Sequence, residues 1–176
     1  MSSAVTVDTP LADILSADEL ATLNTWLAKY PPERKRSAVM AALMIAQKNN
    51  GGYLTESLMN SVADHLGIPH VAAYEVATFY SMYQLEPVGE HVINVCTNIS
   101  CMLRGSDKVM SHLENRLNIK VGETTADNKI TLKEVECQGA CAGAPMCEVD
   151  ETFYEDLTPE KLDQIVDGIL SKQGGE

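Results

Sequence analysis

Positive charge is scarce in this chain: 13 Lys and Arg face 25 Asp and Glu, a formal net charge of −12 over 176 residues. Such a polyanion is repelled by nucleic acid and by anionic membrane surfaces. It remains compatible with a soluble partner that carries a basic face. No apolar run approaches the roughly 20 residues that cross a bilayer, so direct membrane insertion is not expected. The opening stretch MSSAVTVDTPLADILSADE has neither the basic n-region nor the apolar h-region of a signal peptide, and it has no arginine, unlike a mitochondrial transit peptide. A cytosolic, bacterial protein is expected. No G-x-G-x-x-G motif is present, hence no phosphate-binding loop of that type. There is no C-x-x-C of the thiol–disulfide exchange kind, and no carboxylate pair, Ser-His-Asp set or nucleophile elbow stands out.

The length permits one ordinary domain or two small ones, and 45% apolar residues suffice for a core. The two halves differ in texture. Residues 11–85 contain no cysteine and read as helices. Ser16 with Glu19 forms a capping-box signature, which predicts a helix over 17–29. Pro31 and Pro32 stop it, and a second helix, apolar almost all round in SAVMAALMIAQ, is predicted over 33–49. Gly51 and Gly52 end that helix. Thr55 caps a third to Leu66, with Leu58, Val62 and Leu66 on one face. After Gly67, Pro69 opens a fourth, predicted to reach Tyr83. QLEPVGE, residues 84–90, reads as a linker. Beyond it the pattern alternates: a strand over 91–95, a helix over 101–117, a strand around Ile130, Leu132 and Val135, short strands at 146–149 and 152–154, and a last helix opened by Thr158 and Pro159. The closing SKQGGE reads as a frayed tail.

All five cysteines lie in this second half. Cys96 and Cys101 form C-x4-C, and Cys137 and Cys141 form C-x3-C, with 35 residues between the pairs. Each pair follows a predicted strand. If the two strands are neighbours in one sheet, their ends bring four thiols to one edge. In a reducing compartment such clustering suggests metal or redox chemistry before disulfides. Structural zinc sites favour tighter x2 knuckles, whereas a [2Fe–2S] cluster spreads four thiolates over two irons and suits wider spacings. Gly139 and Gly143 in CQGACAG let the backbone approach a cluster closely and turn N–H groups toward its sulfurs. A helix starting near Cys101 adds its N-terminal N–H groups. Zinc and four ordinary buried cysteines remain the alternatives. Cys147, in a predicted strand, reads as a core thiol.

NVCTNISCMLRG, VECQGACAGAP, AQKNNGGYLT and EVATFYSMYQLEPVG together resemble the small [2Fe–2S] subunit of respiratory NADH:quinone oxidoreductase (complex I). The resemblance runs from about Pro31 to Leu170. It implies an α+β chain: an N-terminal antiparallel helical bundle over 11–85, then a thioredoxin-like [2Fe–2S] ferredoxin domain over 90–170. It implies that Cys96, Cys101, Cys137 and Cys141 ligate one cluster, all four matching the family's pattern. Proximity in sequence suggests one pair per iron. Cys147 is not required by the family. The resemblance also implies a flavoprotein partner that holds FMN, the NADH site and a [4Fe–4S] cluster, and other subunits of the peripheral arm. FMN and NADH are expected on that partner only, and the chain is expected to sit at the inner membrane only through the complex. Equivalent subunits of NAD-linked hydrogenases and formate dehydrogenases are the alternative assembly, and a zinc-stabilised interaction module is the alternative of another class.

Remaining features read more plainly. Arg34, Lys35 and Arg36 fall in a predicted first helical turn, against the macrodipole. They mark either a solvated helix start or a partner contact. Tyr74, Phe79, Tyr80 and Tyr83 are concentrated in a chain only 5% aromatic. They read as core, with some free to anchor an interface. His65, His70, His91 and His112 are scattered and read as structural or exposed. Pro145 is expected to follow a cis bond.

Overall fold

The computed structural model describes residues 9–171. Residues 1–8 and the expected frayed tail after Ser171 lie outside them. The chain divides into two compact units between Pro87 and Val88. The described residues include no helix long and apolar enough to cross a membrane.

The first unit is helical: α1 (Leu11–Ile14), α2 (Ala17–Leu27), α3 (Val39–Asn49), α4 (Glu56–Leu66) and α5 (His70–Phe79). The capping box at Ser16 is present in full, with the Glu19 carboxylate accepting the Ser16 N–H at 2.8 Å. The Thr55 hydroxyl accepts the Leu58 N–H at 3.2 Å, and Gly67 closes α4 at φ +66°. Leu11, Leu23, Leu43, Leu54 and Val62 are buried in one core.

Helix α1 has no counterpart in the sequence pattern, α2 ends two residues before the expected Lys29, and two further limits differ by more. The helix predicted over 33–49 starts as a 3-10 stretch, Pro32–Ala38, kinked at Arg34 (φ −116°, ψ 27°). The cause is local. Arg34, Lys35 and Arg36 are exposed, no side chain caps the turn, and their charges oppose the helix's positive end. The α-helix proper begins at Val39, directly after the first buried residue of this stretch, Ala38. The fourth helix stops at Phe79 rather than Tyr83, because residues beyond it are bound elsewhere. Buried Gln47 of α3 donates to the Met82 carbonyl at 3.1 Å and accepts the Gln84 N–H at 2.7 Å. The Tyr83 hydroxyl donates to the Met40 carbonyl at 2.9 Å. Tyr83 is thus core, whereas Phe79 is 79% exposed beside half-exposed Tyr80.

The expected linker is shorter than its composition suggests. The Gln84 carbonyl accepts the Leu54 N–H at 2.7 Å, so Gln84 belongs to the helical unit. At the other end, Gly89 N–H donates to Thr131 Oγ1 at 2.6 Å and Glu90 N–H to the Asn128 carbonyl at 3.0 Å.

The second unit is a mixed α/β structure. Strands β1 (His91–Cys96), β2 (Ile130–Val135), β3 (Cys147–Val149) and β4 (Thr152–Tyr154) form one sheet in the order β2-β1-β3-β4. β1 and β2 run parallel, with Cys96 opposite Val135. β3 pairs antiparallel with both β1 and β4. The helix predicted over 101–117 is two helices, α6 (Ile99–Leu103) and α7 (Ser106–Leu117), separated by Gly105 at φ +96°, a conformation that favours glycine. Helix α8 (Pro159–Ser171) buries Leu162, Val166 and Ile169 and packs against α7. Across that seam His112 pairs with Asp163 at 2.9 Å and Arg116 with Asp167 at 2.6 Å. The Ala144–Pro145 bond is cis, as expected.

Candidate metal centre

Parallel pairing of β1 with β2 decides where the cysteines go. Both strands run the same way, so both following loops leave from the same end of the sheet. Cys96 is the last residue of β1, and Cys101 lies in the middle of α6. Cys137 follows β2 by two residues, and Cys141 opens a short 3-10 turn, Cys141–Gly143. All are free thiols. Cys96 and Cys101 are buried, whereas Cys137 and Cys141 are exposed.

The sulfurs interact across the pairs. The thiols of Cys101 and Cys137 both bear on the acidity of Cys96, and the charge of Cys141 bears on that of Cys101. Cys96 Sγ lies 3.7 Å from the Glu136 carbonyl. Among the described residues, no three His, Cys, Asp or Glu side chains close around a single ion.

Cys96 and Cys101 diverge in acidity. Burial pushes the Cys96 thiol up, but the backbone N–H groups of Gln138 and Asn98 and the thiols of Cys101 and Cys137 together hold it below the ordinary value. Cys101 is pushed up to about 11, first by burial and then by its hydrogen bond with Cys96, against one lowering contact from the Met146 backbone. The donors at these sulfurs therefore come from Asn98, Gln138 and Met146, three separate points of the chain. Asn98 is the N-cap of α6, so the helix start near Cys101 contributes one of these donors and Gln138 and Met146 supply the others. Helix α6 starts at Ile99 and has five residues, too few for a strong dipole. Asn98 is legible in the sequence as a cap; nothing there singles out Gln138 or Met146.

The two glycines serve different needs. Gly139 sits at φ +76°, where a side chain is strained. Gly143 needs space, because a Cβ there would lie 2.5 Å from Glu155 Cβ and Cδ. Arg104 Nε donates to the Ala144 carbonyl at 3.1 Å and ties the end of α6 to the second cysteine loop. Ala144 and Met146 pack over Cys96 and Cys101 in a small apolar cluster, with Ala140 against it.

Cys147 is elsewhere. It opposes Val95 in the sheet and is fully buried in the main core with Ile93 and Leu132. Burial, helped by the charge of Glu148, pushes its thiol up to about 12. Three of the four histidines pair with carboxylates: His70 with Asp64, His91 with Asp150, His112 with Asp163. Of the basic trio, Arg36 lies 3.6 Å from Glu75 in a solvent-exposed pair. Tyr74 donates to Asn60 Oδ1 at 2.5 Å.

Residues 23–170 match the family described as thioredoxin-like [2Fe-2S] ferredoxin. A protein of Rickettsia prowazekii (strain Madrid E), named as a subunit of NADH-quinone oxidoreductase, is 44% identical over 169 residues, covering 94% of this chain and 96% of its own. The mitochondrial NADH dehydrogenase [ubiquinone] flavoprotein 2 of Dictyostelium discoideum is 45% identical over 156 residues, covering 89% of this chain and 63% of its own. Among solved structures, an NAD+-reducing [NiFe]-hydrogenase in the air-oxidized state superposes with a TM-score of 0.64 at 18% identity, over 76% of this chain and 23% of that one. That last likeness is one of fold.

Proposed function

This chain belongs to the thioredoxin-like [2Fe-2S] ferredoxin family, and from that premise we propose that it is the electron-transfer subunit of an NADH:quinone oxidoreductase, with Cys96, Cys101, Cys137 and Cys141 holding one [2Fe–2S] cluster. One observation carries the site assignment: the parallel β1–β2 pairing brings the Cys96/Cys101 loop beside the Cys137/Cys141 loop. The residues fit the group. Four free thiols supply four thiolates, and those of each pair bear on the acidity of the other pair or of one another. Backbone N–H donors face Cys96 and Cys101, where a net-negative cluster gathers charge.

When bound, the cluster supplies one-electron chemistry. The protein's own residues hold and tune it. Cys96 and Cys101 anchor one side under Ala144 and Met146, which exclude water. Cys137 and Cys141 face solvent and offer the side from which a redox partner gains access. Each pair is assigned to one iron. Residues 11–85 form the antiparallel helical bundle and residues 90–170 the ferredoxin domain. The partner is a flavoprotein subunit that carries FMN, the NADH site and a [4Fe–4S] cluster. The chain joins the peripheral arm through it, without inserting in the membrane.

Relatives above 40% identity are named as a subunit of NADH-quinone oxidoreductase and as an NADH dehydrogenase [ubiquinone] flavoprotein. The hydrogenase likeness is structural and distant, which places that assembly second. Affinity capture of the chain from its native membranes is the test. Recovery of a flavoprotein with quinone reductase subunits supports the proposal, and recovery of hydrogenase subunits overturns it.

A further inference from the structure

The loop after β2 carries Cys137 outward and then reverses at Gly139. Gln138, between these two exposed residues, is half-buried. Its side chain explains why. Gln138 Nε2 donates to Glu148 Oε2 at 2.7 Å. Glu148 lies on β3, opposite Asn94 of β1 and Phe153 of β4, so it is fixed by the sheet on both sides. Strand alternation puts Glu148 on the same face as Met146, the residue that packs on Cys96 and Cys101. A carboxylate on this face is costly beside a negative cluster. Its use is as an acceptor.

We infer that Glu148 is a positioning residue: its carboxylate anchors the Gln138 amide and thereby keeps the Gln138 backbone N–H on the sulfur of Cys96. The inference rests on the cluster assignment above. It extends that assignment to two residues that ligate nothing. Gln138 sits between the cysteines of the second pair, and its backbone N–H is among the groups that hold down the thiol of Cys96 in the first, so it bears on both halves of the site. Glu148 reaches that loop from the strand paired to β1.

Two effects of Glu148 on the reduction potential have opposite signs. Its negative charge disfavours the added electron and lowers the potential. The N–H donor that it holds in place stabilises the reduced cluster and raises it. Glu148→Gln and Glu148→Ala both remove the charge, but only the glutamine retains an oxygen that accepts from Gln138. The difference between the two variants therefore isolates the hydrogen bond. We would measure the potential by EPR-monitored titration of the full-length chain with its cluster. The expected result is a lower potential in Glu148→Ala than in Glu148→Gln, with shifted g-values in the alanine variant only. Gln138→Ala leaves the backbone N–H but cuts the anchor. It should lower the potential below wild type, and adding Glu148→Ala to it should cost no further hydrogen-bond effect.

Equal potentials and identical spectra in the two Glu148 variants overturn the inference. If Glu148→Ala does not fold, Gln138→Ala decides alone, and an unchanged potential there overturns it. A wild-type chain with no signal on reduction overturns the cluster assignment and this inference together, whereas a normal wild-type signal with equal variant potentials overturns the inference only.

Discussion

Cys141 and Cys147 are near neighbours in sequence with opposite surroundings. One is exposed in a loop that faces other sulfurs; the other is sealed in the sheet core. Their variants should separate accordingly. Cys141→Ser should lose the cluster, since a hydroxyl is a poor ligand to iron beside three thiolates. Cys147→Ala should keep the visible and EPR spectra and lose stability by about 1 kcal/mol, the order of a small core truncation, measured by denaturant unfolding. The Cys147 thiol, pushed up to about 12 by burial, also resists alkylation in the native protein. Iodoacetamide near pH 8 should leave it unlabelled until denaturant is added, as read by peptide mass spectrometry.

Elements bring these residues together, and here sequence and structure part in instructive ways. The capping box at Ser16, the Thr55 cap and the apolar face of Leu58, Val62 and Leu66 are legible because their causes are local. The two cysteine pairs are legible as strand-end loops for the same reason. Their shared edge is only conditional in the sequence, because adjacency of β1 and β2 is a non-local fact. The end of α5 is not legible, because it depends on buried Gln47 reaching from α3 to hold Met82 and Gln84. The division of the helix at Gly105 is hidden because helical periodicity continues across it. Gly143 reads as conformational freedom in the sequence, and the structure shows crowding against Glu155 instead. Gly143→Ala should displace Glu155 or the cysteine loop and reduce iron retained after reconstitution. Wild-type iron content in that variant would contradict the packing argument.

For the whole molecule, charge sets how stability responds to acid. Burial, with the nearby charge of Lys35, holds His65 below its ordinary value. The unfolded chain then binds the proton more readily than the folded one. His65's contribution is full above about pH 6.5 and is lost as pH falls from there toward the folded value. His65→Gln should therefore lose less Tm than wild type between about pH 7 and pH 5.5 in a melting series. The carboxylates of Glu19, Asp127 and Glu160, lowered chiefly by hydrogen bonds, act in a separate window, losing their contribution as pH falls below about 4.5.

The central claim is that four cysteines from two loops hold a two-iron cluster that carries one electron at a time. EPR of the anaerobically reduced full-length chain, with iron, sulfide and zinc determined on the same sample, tests it most directly. The result expected is a coloured protein with about two iron and two sulfide per chain and a paramagnetic signal that appears on reduction. A colourless, EPR-silent protein with stoichiometric zinc would contradict it.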